Sequence, residues 1–258
     1  VEANNAGSRR GKDVAIETML VLKDISWHLP EKEILHGIDL TVPDGKLVVI
    51  TGPNGGGKTS LAKLIAGIEK PDSGKILLDG RLINNLDVTE RAKIGIAYAF
   101  QQPVRFKGLL VRDLMELASG RSLSEEELCD SLSQVGLCAR EYIDREVSAS
   151  LSGGEIKRIE IATVLARRAR LTVFDEPEAG IDLWSFQNLI QVFQKLRQEV
   201  DGSILIISHQ KRILEIADEI VVISGGRVTA QGTGEAMLPQ LFDGEERARP
   251  CPMERGND

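Results

Sequence analysis

Gly52-Pro53-Asn54-Gly55-Gly56-Gly57-Lys58-Thr59 is the stretch with the strongest chemical content. It follows the apolar run Leu47-Val48-Val49-Ile50 and precedes Leu61-Ala62-Lys63-Leu64-Ile65-Ala66, so a buried strand enters a glycine-rich turn that opens a helix. A polyphosphate needs several main-chain N–H donors converging on it. Glycines let the chain curl around the oxygens without a Cβ clash, and the helix start adds unpaired N–H groups and partial positive charge. The pattern predicts Lys58 on the β- and γ-phosphates and the Thr59 hydroxyl on Mg²⁺, with Ser60 in the same first turn. The expected ligands are ATP and Mg²⁺.

Other candidate residues stand at strand ends. Asp175 and Glu176 close the apolar run Leu171-Thr172-Val173-Phe174, so both carboxylates should surface at the C-terminal edge of a sheet, where α/β folds bind ligands. Beside Lys58 and Thr59, Asp175 suits Mg²⁺ and Glu176 suits polarising an attacking water. Gln101 follows the strand Ile94 to Phe100 and could reach Mg²⁺ or the water through its amide. His209 follows Ile204-Leu205-Ile206-Ile207-Ser208, placed to touch a γ-phosphate or to hold Glu176. Leu151-Ser152-Gly153-Gly154-Glu155 is a second anion-cradle pattern, which taken alone is equally a well-capped helix start.

The elements that must position these residues follow from periodicity. Met19 to Trp27 and Ile34 to Val42 alternate apolar and polar residues as half-buried antiparallel strands do, and Asp44-Gly45 is a turn. A strand at Lys75 to Leu78 and a short helix started by Asp87 come next. Between Gln101 and about Ser150 the period turns helical, including a capping box at Ser124, which suggests a small helical subdomain spanning about 102–168. A helix at Leu183 to Glu199, a strand at Ile204 to Ile207, a helix at Lys211 to Ala217 and strands at Ile220 to Ile223 and Arg227 to Ala230 complete an alternating order. Strands alternating with helices mean a parallel sheet covered on both faces. Residues 1–18 and 243–258 are polar and aperiodic, so a disordered start and a mobile tail are expected around an ordered 19–242.

Composition narrows the function classes. The 258 residues suffice for one large domain with a small subdomain, and 42% apolar with 28% charged residues is globular usage. A net charge of -7 argues against a nucleic-acid partner. No run approaches the roughly 18 apolar residues of a membrane span, so no direct membrane insertion and a cytoplasmic location are expected. Three cysteines make no disulfide framework; Cys129 and Cys138 read as small core residues, and Cys251 as an exposed thiol.

Together these residues resemble the ATP-binding cassette (ABC) family. Gly52 to Thr59 is similar to its Walker A, Gln101 to its Q-loop, Leu151 to Glu155 to its signature, Leu171 to Glu176 to its Walker B, Ala179-Gly180-Ile181-Asp182 to its D-loop and His209 to its switch histidine. The resemblance covers roughly residues 19–235. It implies an α/β ABC ATPase fold: a mixed, mainly parallel P-loop sheet with an antiparallel β subdomain and a small helical one. It also implies an ATP-dependent homodimer, each nucleotide lying between the Walker A of one copy and Ser152, Gly153 and Gly154 of the other, with Asp182 close by.

Within the family the chain resembles the SUF-system (SufC-type) ATPases of iron-sulfur cluster assembly, through Ala99-Phe100-Gln101-Gln102-Pro103-Val104, Ser152-Gly153-Gly154-Glu155-Ile156-Lys157-Arg158 and His209-Gln210-Lys211-Arg212-Ile213-Leu214. That resemblance implies a β-helical SufB/SufD-like scaffold as partner, whose shape dimerisation changes. Pro177-Glu178-Ala179-Gly180-Ile181-Asp182 departs from the Ser-Gly-Leu-Asp ending usual there. The alternative is the ATPase subunit of an ABC membrane transporter. Trp27 is a candidate for stacking on adenine.

Overall fold

The computed structural model describes residues 18–148, 151–199 and 202–242. Expectations for residues 1–17 and for the tail with Cys251 lie outside the described residues. The strands are β1 (Thr18–Leu29), β2 (Lys32–Pro43), β3 (Leu47–Thr51), β4 (Ser73–Leu78), β5 (Arg81–Leu82), β6 (Ile96–Ala99), β7 (Leu171–Asp175), β8 (Ser203–Ile207), β9 (Glu219–Ser224) and β10 (Arg227–Thr233). The helices are α1 (Lys58–Ala66), α2 (Val88–Lys93), α3 (Val111–Ser119), α4 (Glu125–Gln134), α5 (Ala139–Tyr142), α6 (Gly153–Ala166), α7 (Leu183–Glu199), α8 (Lys211–Leu214) and α9 (Gly234–Phe242).

Two sheets form. The larger runs β10-β9-β3-β8-β7-β6, parallel from β9 to β6 with β10 antiparallel at its edge; the smaller runs β2-β1-β4-β5 and its paired neighbours are antiparallel. Strand alternation assigns each inner strand to two cores. Val48, Ile50, Val173, Leu205 and Val221 pack with Leu61, Leu64 and Ile65 of α1 and with the smaller sheet. Leu47, Val49, Phe174, Ile206 and Ile220 pack with Met115, Leu128, Ile156, Ile159 and Phe193 of the helical layer. The fold is therefore α/β, with a mixed, mainly parallel core sheet and an antiparallel subdomain, as the resemblance implies.

Arg170, just before β7, reaches Asp44 at 2.8 Å in the β2–β3 turn and Asp79 at 3.2 Å in the β4–β5 turn, lacing the two sheets together. The strand expected from Ile94 begins later, at Ile96, because Gly95 takes φ +98 and interrupts extended backbone. The helix expected to reach Ala217 ends at Leu214. The cysteine expectation is corrected: Cys129 and Cys138 are exposed. On α4 the buried positions are Leu128 and Leu132, and Cys129 lies one residue off that stripe; Cys138 is the cap of α5, outside any apolar face. No helix among the described residues is long and apolar enough to cross a membrane.

Candidate functional site

The fully buried β3 feeds the glycine turn, and Gly57 at φ +98 caps α1 in a left-handed conformation. Gly52 is obligatory for packing: at φ +132, an added Cβ would stand 2.0 Å from the Ile223 carbonyl oxygen of β9. The turn is thus wedged against the sheet; its Gly56 N–H donates to the Pro53 carbonyl at 3.2 Å, which tightens the curl of main chain that an anion would face. Lys58 is only 7% exposed, and its Nζ donates to the carbonyls of Gly52 (2.8 Å) and Pro53 (3.0 Å). Burial pulls its pKa below the usual lysine value, while Glu176 and Asp175 push it back up. A polyphosphate would supply the counter-charge this half-satisfied ammonium lacks.

Asp175 is the hub. Fully buried at the end of β7, it accepts from Thr59 Oγ1 on α1 at 3.1 Å and from the Tyr98 hydroxyl on β6 at 3.0 Å. Burial raises its pKa, and the two hydroxyls oppose that rise; the Tyr98 phenol is pushed up, by burial first and then by Asp175. A buried carboxylate held only by hydroxyls beside a threonine suits a hard divalent cation, so Thr59 and Asp175 fit Mg²⁺ by donor chemistry. Mg²⁺ bound there would neutralise phosphate charge.

Glu176 adopts φ +45, a strained left-handed conformation for a non-glycine residue, held by its N–H on the Ile207 carbonyl at 3.0 Å. Its Oε2 accepts from Gln101 Nε2 at 2.6 Å, so the second residue past β6 and the residue after β7 meet. Gln101, Glu176, Asp175, Thr59 and Lys58 form one cluster. His209 is exposed and makes no hydrogen bond among the described residues. Between them, Glu178 accepts from Ser208 Oγ at 2.5 Å, and burial raises its pKa.

Ser152 caps α6 reciprocally with Glu155: Glu155 N–H donates to Ser152 Oγ (3.3 Å) and Ser152 N–H to Glu155 Oε2 (2.7 Å). No hydrogen bond joins Ser152, Gly153 or Gly154 to residues 52–60 among the described residues; an added Cβ on Gly154 would instead stand 3.4 Å from the Gly180 carbonyl oxygen. Asp182 accepts from Ser185 N–H and Oγ at the start of α7. Pro53, Asn54, Gly55 and Gly56 line the turn, and Ser60 sits in the first turn of α1. Trp27, half-buried, lines a cleft at the β1–β2 hairpin with Pro30 and Asp72. Tyr98, Lys157, Glu160 and Glu178 are not evident as site residues from sequence, since apart from the Lys157–Glu160 pair their contacts reach residues 30 or more positions away. One signal did exist for Lys157: Ile156, Ile159, Ile161 and Ala162 leave that part of α6 little polar face.

A phosphate-binding glycine loop after β3, with an acidic pair at the end of β7 two strands along the same parallel sheet, defines a P-loop ATPase. The family model described as ABC transporter matches residues 35–179. Over 222 residues the chain is 37% identical to the uncharacterized ABC transporter ATP-binding protein MJ0035 of Methanocaldococcus jannaschii, covering 83% of this chain and 88% of that one. It is 32% identical to the sulfate/thiosulfate import ATP-binding protein CysA of Synechocystis sp., covering 84% of this chain and 61% of that protein. The dimeric structure of the bacterial ABC transporter cassette MJ0796 aligns with a TM-score of 0.75 at 25% identity, over 83% of this chain and 98% of that one. The chain belongs to the ABC family and is an ATP-hydrolysing ATPase. Nothing in these matches is specific to SUF-system ATPases.

Proposed function

We propose that this chain is the ATP-hydrolysing subunit of an ABC membrane transporter, working as an ATP-bound homodimer at the cytoplasmic face of a membrane. The observation that carries the catalytic part is the Asp175 and Glu176 pair: one carboxylate is buried against Thr59 and Tyr98, the other strained and held by Gln101. In this reading Gly52 to Gly57, Lys58, Thr59 and Ser60 hold the phosphates. Thr59, Asp175 and Gln101 hold Mg²⁺, Glu176 takes the proton of the attacking water, and His209 contacts the γ-phosphate. Ser152, Gly153, Gly154 and Asp182 of a second copy complete each site.

The transport half replaces the iron-sulfur scaffold as the favoured reading, because the curated relatives carry transporter names. The loop after β6 fits a partner: Phe100, Val104 and Phe106 are each about two-fifths exposed, and Leu117 of α3 is 69% exposed. A SufB/SufD-like scaffold stays as the second reading on the Phe100-Gln101-Gln102-Pro103-Val104 and His209-to-Leu214 segments alone. Affinity capture of the full chain from detergent-extracted membranes and from the soluble fraction, with Phe106→Asp as control, separates them. A multi-span membrane protein lost with Phe106→Asp is the expected result; a soluble β-rich protein lost with the same change would move the assignment to the scaffold.

A further inference from the structure

Lys157 is fully buried on α6, an unusual place for an ammonium. Its Nζ donates to the Phe100 carbonyl, to the Gln101 carbonyl at 3.4 Å and to Glu160 Oε2 at 3.1 Å. Glu160 in turn accepts from the Phe100 N–H at 3.0 Å through its other oxygen. One ion pair, its ammonium fully buried and about one and a half to two helical turns past the Ser152 cap, therefore grips both the N–H and the C=O of Phe100 and the C=O of Gln101. A main-chain segment held at three polar atoms by a neighbouring helix moves with that helix. Gln101 places its amide on Glu176 at 2.6 Å, so the grip ends at the proposed base. Phe100 also stacks edge-on to Tyr98 at 4.9 Å, and Tyr98 holds Asp175, so the same segment touches both members of the acidic pair.

An ordinary surface pair would not explain this arrangement. Burying an ion pair costs desolvation that packing with apolar side chains would avoid, and α6 is otherwise lined here by Ile156, Ile159 and Ile161. The polar grip is what the charges contribute.

We propose that Lys157 and Glu160 are positioning residues for hydrolysis, clamping the Phe100–Gln101 main chain to the helix that carries Ser152. Any shift of α6 when its N-terminus engages a nucleotide is then transmitted to Gln101 and so to Glu176. The inference rests on the roles given above to Gln101 and Glu176, whichever partner the chain serves.

A double-mutant cycle with Gln101→Ala tests the clamp, read as single-turnover hydrolysis of saturating Mg-ATP by the full chain and as KM for ATP. Lys157→Met keeps the stem and deletes the donor. It should lower kcat about tenfold with KM within about twofold, the size of one oriented hydrogen bond lost at the reacting centre. In the Gln101→Ala background the same change should leave kcat where Gln101→Ala alone put it. Should Lys157→Met unfold the chain, Lys157→Met/Glu160→Gln removes both charges with little change in shape and takes its place in the cycle. Equal falls in both backgrounds, a change confined to KM, or no change in kcat would overturn the clamp. If Gln101→Ala itself hydrolyses at the wild-type rate, the proposed role of Gln101 fails first, and the clamp fails with it.

Discussion

Glu176 pays for its position with backbone strain of order 1 kcal/mol, since left-handed φ crowds a Cβ. Such strain persists where the surroundings over-determine it, here the β8 carbonyl and the Gln101 amide. Glu176→Gln preserves shape and can still accept from Gln101 but takes no proton from water. It should bind ATP normally, lose at least about a hundredfold in kcat and elute as an ATP-dependent dimer on sizing. Wild-type turnover by this variant would remove the general-base role. The glycine loop, Asp175 and Glu176 were legible because their neighbours in sequence declare strand, turn and helix. Tyr98 was not: its partner is a residue of another strand, and nothing local marks a tyrosine as a ligand's holder. Cys129 was misread for the opposite reason, small and apolar in type but one step off the buried stripe of its helix.

At the scale of elements, the helix starts do much of the positioning. Glu155, in the cap of α6, is held down to about 2 by the Tyr142 hydroxyl at 2.5 Å, then by the Ser152 amide and hydroxyl. A carboxyl whose folded pKa lies below its unfolded value lends stability above the ordinary glutamate range and loses it as pH falls through about 2. Tyr142→Phe should therefore raise the Glu155 midpoint toward ordinary glutamate and start acid loss of the α6 cap at higher pH. Carbon-13 NMR titration of the glutamate carboxyls reads this directly, and an unmoved midpoint would refute the attribution. The P-loop helix has an equivalent support at its other end. Arg91, fully buried, donates to the carbonyls of Leu64, Ile65 and Leu86. Arg91→Met would take the guanidinium from the Ile65 and Leu86 carbonyls and leave Leu64 only its bond from the Gly67 N–H, so a loss of about 2–4 kcal/mol is expected in denaturant unfolding. An effect under about 0.5 kcal/mol would mean solvent replaces the guanidinium there. Caps at Asp87, Ser124 and Ser152 are readable as four-residue patterns, whereas the Arg91 support spans some 26 residues and no short pattern carries it.

Across the whole molecule, the relation to be tested is that between the glycine loop and the Ser152 corner. In the proposed reading the glycine loop and the Ser152 corner both receive an anion, yet no hydrogen bond connects them among the described residues, and a Cβ added to Gly154 would meet the Gly180 carbonyl of the same chain. Sequence could place both motifs on helix starts, but their distance depends on how the helical layer sits on the sheet, which periodicity does not encode. If each nucleotide is shared, two inactive chains can rescue each other. Lys58→Ala removes the phosphate grip of one copy, and Gly154→Asp puts a carboxylate where the other copy should meet phosphate. In a mixed dimer one site inherits the sound glycine loop of the Gly154→Asp chain and the sound Ser152 corner of the Lys58→Ala chain, while the other inherits both defects. Random pairing makes half the dimers mixed with one good site in two, so an equimolar mixture should recover about a quarter of wild-type hydrolysis. Each variant alone should stay near zero, and the recovered rate should rise with the square of protein concentration where dimers are scarce. A mixture as inactive as its components, at concentrations where wild type dimerises on ATP, would mean that each chain completes its own site.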